Sequence, residues 1–245
     1  MSAMPTTLPA PEHPARRTSV ARVFSQVLGE LMITAGVILL LLVVYQLWWT
    51  NIQADRKANE IDNALRDQWS APAVAGQSIP GDAIGIMYIE RLGRGWEKPV
   101  VQGVDLDHLA EGVGHFPKTA LPGQVGNFAV AAHRATHGEP FAHLDEIRPG
   151  DQVILETRTD WFIYTVDTMP GTNGKAWKLV DPNYGSVVAP VPEQPGVAPT
   201  RKLLTLVTCN PRWGHSTRLI VYGHLTNDYH KPGALPAELA YTKKG

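Results

Sequence analysis

A single cysteine in 245 residues has no partner for an internal disulfide, so Cys209 is either a small packing residue or a reactive thiol. Its surroundings favour chemistry. The run Leu203-Leu204-Thr205-Leu206-Val207-Thr208 is apolar and β-branched, and it delivers Cys209 onto Asn210-Pro211. Proline has no N–H and restricts the residue before it, so the strand stops there. Two other strand-like runs end or begin on useful groups. Asn127-Phe128-Ala129-Val130-Ala131-Ala132 closes on His133, and Leu219-Ile220-Val221-Tyr222-Gly223 is preceded by Arg218. A thiol with a pKa near ~8.5 is mostly protonated at neutral pH, and a neighbouring imidazole and guanidinium both favour the thiolate. Thiolate attack on a peptide carbonyl gives an oxyanion and then a thioester. Arginine keeps its proton, which suits it to clamp the oxyanion, whereas histidine can pass a proton to one amine and take it from another. Those three groups, brought together, make an acyl-transfer site.

The elements that must position them read as short strands. From Ala83 the pattern turns to period two, with strands expected at 83–89, 100–103, 126–133, 152–157, 161–168, 203–209 and 219–225. Pairs such as Pro149-Gly150 and Pro170-Gly171 separate them. Stretches 106–113 and 141–147 have helical character. Many short strands with turn punctuation predict a mostly β fold, a sandwich or closed barrel. The connection from Pro170 to Arg201 is long and rich in Pro and Gly, as functional lids and binding loops are. Lys plus Arg is 22 against 23 for Asp plus Glu, so no basic excess points to nucleic acid.

Residues 31–49 are nearly all apolar, interrupted by Thr34, Gly36 and Gln46. That length suits a bilayer span of roughly 20 residues. Tyr45, Trp48 and Trp49 fit an interfacial belt, and Arg16, Arg17 and Arg22 a cytoplasmic flank. A cleaved signal peptide is the rival reading, but small residues would follow its apolar core, and here Leu-Trp-Trp-Thr does. The expected organisation is a cytoplasmic tail over 1–30, an anchor over 31–50, a stalk helix and linker over 51–80, the main domain over 81–227 and a polar tail over 228–245. Topology would be single-pass type II, in the cell membrane, with the body outside.

The chain resembles the sortases, and within them the class E group. Thr205-Leu206-Val207-Thr208-Cys209 matches the family's TLxTC signature, and Ser216-Thr217-Arg218-Leu219-Ile220-Val221 its arginine strand. Val113-Gly114-His115-Phe116-Pro117, Leu121-Pro122-Gly123, Gly126-Asn127 and His133-Arg134 match the segment leading into its histidine. The resemblance runs from Ala83 to Leu225. It implies a closed eight-stranded β-barrel with short helices behind one transmembrane helix, with His133, Cys209 and Arg218 catalytic. It also implies substrate contacts at His137 and Thr208, and it calls for no cofactor. The implied partners are surface proteins bearing a Leu-Ala-x-Thr-Gly or Leu-Pro-x-Thr-Gly signal, with a peptidoglycan precursor or pilin lysine as the amine acceptor.

Departures and rivals sharpen that expectation. Asn210 stands where class E members often have histidine, Ala132 where glycine is usual, and His137 where a tyrosine faces the second residue of the signal. His133 and His137 have the i, i+4 spacing of a zinc grip, but the zincin glutamate is missing and the run leaves a strand, so no metal is expected. Wall-peptide hydrolases that place Cys before His do not fit the order here, and the Ser-x-Gly-Cys context of L,D-transpeptidases is absent. The remaining alternative is a membrane-anchored β-domain that binds a wall component, its thiol incidental.

Overall fold

The computed structural model describes residues 20–71 and 82–231. Residues 1–19 of the expected cytoplasmic tail, the expected linker from 72 to 80 and residues 232–245 of the expected polar tail lie outside these residues. The chain divides into two units, Met1–Tyr45 and Gln46–Gly245.

In the first unit, helix α1 (Val20–Val44) begins well ahead of Leu31 and buries none of its residues. At about 1.5 Å per residue it is about 37 Å long, more than enough for a hydrocarbon layer of about 30 Å. It is long and apolar enough to cross a membrane. Its polar side chains are absorbed locally: Thr34 donates to the Glu30 carbonyl at 2.8 Å and Ser25 to that of Arg22 at 2.9 Å. A π-helical turn, Tyr45–Trp49, follows.

The second unit opens with helix α2 (Thr50–Ser70), which is the expected stalk and does not stand free. It buries Ala54, Ala58, Ile61 and Leu65, whose spacing of four, three and four puts them on one helical face. Ile61 and Leu65 pack with Ala83, Ile86, Tyr88, Val101, Ile154 and Ile163 on the outside of the barrel. Alanines make half of this face, which leaves it little hydrophobic contrast in the sequence.

The barrel strands are β1 (Ala83–Tyr88), β2 (Glu97–Gln102), β3 (Val113–His115), β4 (Gly126–Ala131), β5 (Gln152–Glu156), β6 (Asp160–Val166), β7 (Trp177–Val180), β8 (Lys202–Asn210) and β9 (Thr217–His230). Their order is β6-β5-β1-β2-β3-β4-β8-β9, and β9 returns to β6. Eight strands therefore close the ring, as expected, and β7 lies outside it on β9. The long β9 changes partner along its length: Arg218–Val221 pair with β7, and Gly223–His230 with β6. It thus runs past Asp228, where the sequence suggested a polar tail. Pairing is antiparallel except at β2–β3 and β4–β8. The first parallel pair is bridged by the single-turn helix α3 (Leu106–Leu109), whose start Asp105 caps by accepting from the N–H groups of Asp107 and His108.

The interior is filled by alternate residues of these strands, among them Phe128, Val130, Leu204, Leu206, Leu219 and Val221, closed at one end by Phe141 and Leu144. Two strands escape the period-two reading. β3 has three residues, too few to alternate, and directly follows α3, so 106–113 reads as one helix. At Gly114 an added Cβ would lie 2.2 Å from the Gly103 carbonyl oxygen. β7 lies inside the long 170–201 connection.

Candidate active site

Strand parity builds the site. On β8, Leu204 and Leu206 face the core, so Thr205, Val207 and Cys209 face outward. On β9, Leu219 and Val221 face the core and Arg218, Ile220 and Tyr222 face outward. Cys209 pairs directly with Arg218, and Val207 with Ile220. On β4, the parallel register sets Ala131 against Val207. The ladder is carried one residue further by the Ala132 N–H on the Val207 carbonyl, 3.2 Å, and by the Thr208 hydroxyl on the Ala132 carbonyl, 2.8 Å. Cys209 and Arg218 therefore share the outward face of the β8–β9 pair, and His133 follows the end of β4, which runs alongside β8.

That face is roofed only in part. Val187, from a 3-10 turn at Gly185–Val188, packs on Val207 and Ile220 with Phe116, Ala131, Val180 and Tyr222 around them. The roof is pinned by buried polar groups. Asn127 Nδ2 donates to the carbonyls of Val187 and Ala189 at 3.3 and 3.0 Å, while its Oδ1 accepts from Thr205 at 2.8 Å. Further along, the Tyr222 hydroxyl donates to Glu193 at 2.6 Å and Lys178 pairs with the same carboxylate. A cavity of about 660 Å³ opens there between Asp167–Pro170 and Val191–Gln194. Cys209, His133 and Arg218 are each partly exposed.

Burial, and after it the charge of His137, hold His133 below the ordinary histidine range. A buried imidazole is disfavoured as a cation, and a second imidazole alongside adds repulsion. The two rings stack with centroids 5.1 Å apart. Arg218 is steadied by two bonds from Nη1, to the carbonyls of His215 and Thr217 at 3.0 and 3.1 Å. Both bonds use one nitrogen of a three-nitrogen fork.

His137 is thus beside His133 and not turned out to solvent. Its loop is bent hard: Thr136, His137 and Glu139 all have positive φ, at 61, 50 and 45°, a region that non-glycine residues rarely enter. Glu139 holds the bend, accepting from the Thr136 N–H at 3.2 Å, from Asn51 at 3.0 Å and from Arg212. Burial pushes that carboxyl up, but the bonds from Asn51, Arg212 and Thr136 outweigh it and leave it below its usual range. Thr208 departs from its expected role. It is 2% exposed, and its hydroxyl is committed to the Ala132 carbonyl, so it ties β8 to β4 and does not reach substrate. His115 is a packing residue, 1% exposed and bonded to Gln102, Thr119 and the Ala120 carbonyl.

Sequence reasoning missed one residue of the neighbourhood, Asn51, and carried no hint of the partners of Arg134, which it set beside His133. Arg134 is 6% exposed, donating to Asn210 Oδ1 at 2.5 Å and pairing with Asp145 at 2.9 Å. Asn51, in the first turn of α2, also accepts from the Gly138 N–H at 3.0 Å. A hydrophobicity pattern carries no signal for either.

Residues 87–226 match the sortase domain. The chain is 35% identical over 233 residues to Sortase SrtE1 of Streptomyces coelicolor, covering 92% of this chain and 64% of that protein's length. It therefore spans just under two thirds of that relative. Among solved structures, sortase E from Streptomyces avermitilis is 40% identical with a TM-score of 0.56, over 65% of this chain and 97% of that one. Sortase E1 from Streptomyces coelicolor, solved with a tripeptide in its active site, is 31% identical with a TM-score of 0.56, over 65% and 98%. The barrel, the paired Cys209 and Arg218, and these likenesses agree: the chain belongs to the sortase family and is similar to the class E sortases of Streptomyces.

Proposed function

We propose that this chain is a membrane-anchored cysteine transpeptidase acting on C-terminal sorting signals. The observation that carries it is the register that puts Cys209 opposite Arg218 on an incompletely roofed face, with the end of β4 that leads into His133 running alongside β8. The tripeptide in the solved sortase E1 active site supports a peptide as the ligand of such a face.

The chemistry follows from the groups. Cys209 loses its proton to His133, and the thiolate adds to the Thr–Gly carbonyl of a Leu-Ala-x-Thr-Gly or Leu-Pro-x-Thr-Gly signal. Arg218 holds the oxyanion. His133 gives its proton to the leaving glycine amine as the C–N bond breaks, leaving a thioester on Cys209. An amine from a cell-wall peptide or a pilin lysine then attacks. His133 takes the amine's proton, the C–S bond breaks, and the new amide leaves. With α1 as anchor and Arg22 on its inner flank, the amino terminus is cytoplasmic and the barrel extracellular.

His137 contacts the second residue of the signal. Its stacking on His133 sets it beside the site, and an imidazole, shorter than the tyrosine usual there, lowers the preference for alanine over proline. His137→Tyr should raise the ratio of Leu-Ala to Leu-Pro rates; a ratio indifferent to the substitution between about pH 6 and 8 removes His137 from this role.

The test of the whole reading is mass spectrometry of the full-length protein after incubation with a sorting-signal peptide. An acyl adduct on Cys209 is expected, and Cys209→Ala should show none while keeping its melting temperature. A wild-type protein that never forms the adduct would be a wall-binding domain instead.

A further inference from the structure

Each of the three candidate groups has an immediate neighbour in sequence, and those neighbours are bonded to one another. Arg134 follows His133, Asn210 follows Cys209, and Thr217 precedes Arg218. The Arg134 guanidinium donates to Asn210 Oδ1 at 2.5 Å, and Asn210 Nδ2 donates to Thr217 Oγ1 at 3.0 Å. The Thr217 hydroxyl donates in turn to the Asn210 carbonyl at 3.2 Å. Asp145 closes the far end on Arg134 at 2.9 Å. Successive side chains along a strand point to opposite faces. On β8 and β9, Asn210 and Thr217 therefore face away from Cys209 and Arg218, and the buried Arg134 meets Asn210 there.

We propose that Arg134, Asn210 and Thr217 are the positioning residues of the active site, holding three strand ends in register under the groups that react. The inference rests on the transpeptidase reading above. Donor and acceptor roles leave little freedom in it. Arginine only donates, so the Asn210 oxygen must face Arg134 and its amide must face Thr217. An aspartate at 210 would serve Arg134 but could only accept from the Thr217 hydroxyl, taking it from the Asn210 carbonyl, and a leucine would lose both side-chain bonds.

Stability alone is a weak reason for such a device. Arg134 is 6% exposed, and its Nε is buried with no hydrogen-bond partner among the described residues. Burying a guanidinium is unfavourable, and apolar residues of similar volume often do as well or better for stability. The strands here also need outside help, because the β4 ladder ends at Ala131 and β8 stops at Pro211. Beyond those points the main chain no longer fixes the spacing between His133 and Cys209, and the side-chain layer takes over. Misplacement of reacting groups by about 1 Å can lower a rate by about a hundredfold.

The experiment uses the full-length protein and compares Asn210→Leu, Asn210→His and Thr217→Val, with rates expressed per alkylatable Cys209. Asn210→Leu should lower kcat by about tenfold to a hundredfold, with KM for the signal peptide within about twofold. Thr217→Val, nearly isosteric, should lower kcat in the same direction by less. Asn210→His should recover much of the loss, since a neutral imidazole offers one acceptor and one donor. The pH profile of thiol alkylation should shift in Asn210→Leu, which a purely structural role would leave in place. If Asn210→Leu fails to fold, Thr217→Val and Asn210→His decide. Variants with wild-type kcat and an unshifted alkylation profile overturn the inference while leaving the transpeptidase reading intact, provided the wild type forms its thioester and Cys209→Ala does not. A wild type that forms no thioester overturns both.

Discussion

The barrel's outer surface is covered in two places, and the two covers are built differently. Over β1, β2, β5 and β6 lies α2, a helix with an apolar stripe and a ring of polar clamps. Arg66 donates to the Tyr88 hydroxyl at 2.8 Å and to Glu97 at 3.0 Å, and Tyr88 donates to Glu156 at 2.6 Å. Burial, then the Glu156 charge, pushes the Tyr88 hydroxyl well above its ordinary pKa, so it remains a donor. Lys231 bonds Glu156 at 2.5 Å and sits 4.7 Å from both the Trp69 and Trp161 rings. Over β4, β8 and β9 the cover is a single 3-10 turn with Val187 at its centre, and the strand ends beyond it stay open. Where apolar surface is fully covered, the groups beneath serve stability; where cover stops short, a thiol, an imidazole and a guanidinium meet solvent.

Substitutions can break that contrast from either side. The largest expected effect is on the helix side. Leu65→Ala removes a side chain that is 1% exposed and should lower stability by about 2–5 kcal/mol in chemical denaturation. Its rate per folded molecule should match the wild type, and a matching fall in rate would mean that the two covers are not separable.

On the open side the expectation reverses. Arg218→Lys should lower kcat/KM by about a hundredfold to a thousandfold with the melting temperature unchanged. Alkylation of Cys209 by a small reagent should persist, because lysine keeps the charge and loses the fork. Near-wild-type turnover would take the oxyanion role away from Arg218.

The two sides touch at one point, where Asn51 of α2 holds the loop of His137. A hydrogen bond to such a loop contributes about 1 kcal/mol, so Asn51→Ala should lower the rate by about fivefold with little change in melting temperature. A rate equal to the wild type would show the groove to be indifferent to the helix.

The smallest effect is one of pH. On the transpeptidase reading His133 accepts the thiol proton only when neutral, and burial, then the charge of His137, holds its pKa below the ordinary histidine range. Removing the neighbouring imidazole removes a term that lowers that pKa, so His137→Ala should move the acid limb of kcat/KM to higher pH. A limb that stays put, or moves to lower pH, would show that the repulsion between the two rings is not felt by the catalytic step.

The parts of this arrangement that sequence reveals are those with a period or a chemical type. His133, Cys209 and Arg218 stood out because reactive residues closed or opened apolar runs, and α1 because its apolar run is unbroken. β3 was hidden by its length, and β7 by the Pro- and Gly-rich loop around it. The docking of α2 was hidden because Ala54 and Ala58 bury little surface and read as neutral. Thr208 shows the limit of a motif: its place beside the cysteine suggested substrate, yet parity turns it under the floor. Arg134 and Asn210 meet across strands that are distant in sequence, and no local pattern encodes that meeting.

The parallel pairing of β4 with β8 also bears on when the thiol becomes dangerous. Parallel neighbours cannot be joined by a tight hairpin, and here β5, β6 and β7 all intervene in the chain. Contacts between distant segments form late, since the loop between them must first be ordered. Until β8 docks between β4 and β9, Cys209 is not yet set opposite Arg218. On the transpeptidase reading, the site is then a property of the finished barrel: a partly folded chain carries the thiol without the groups that would use it.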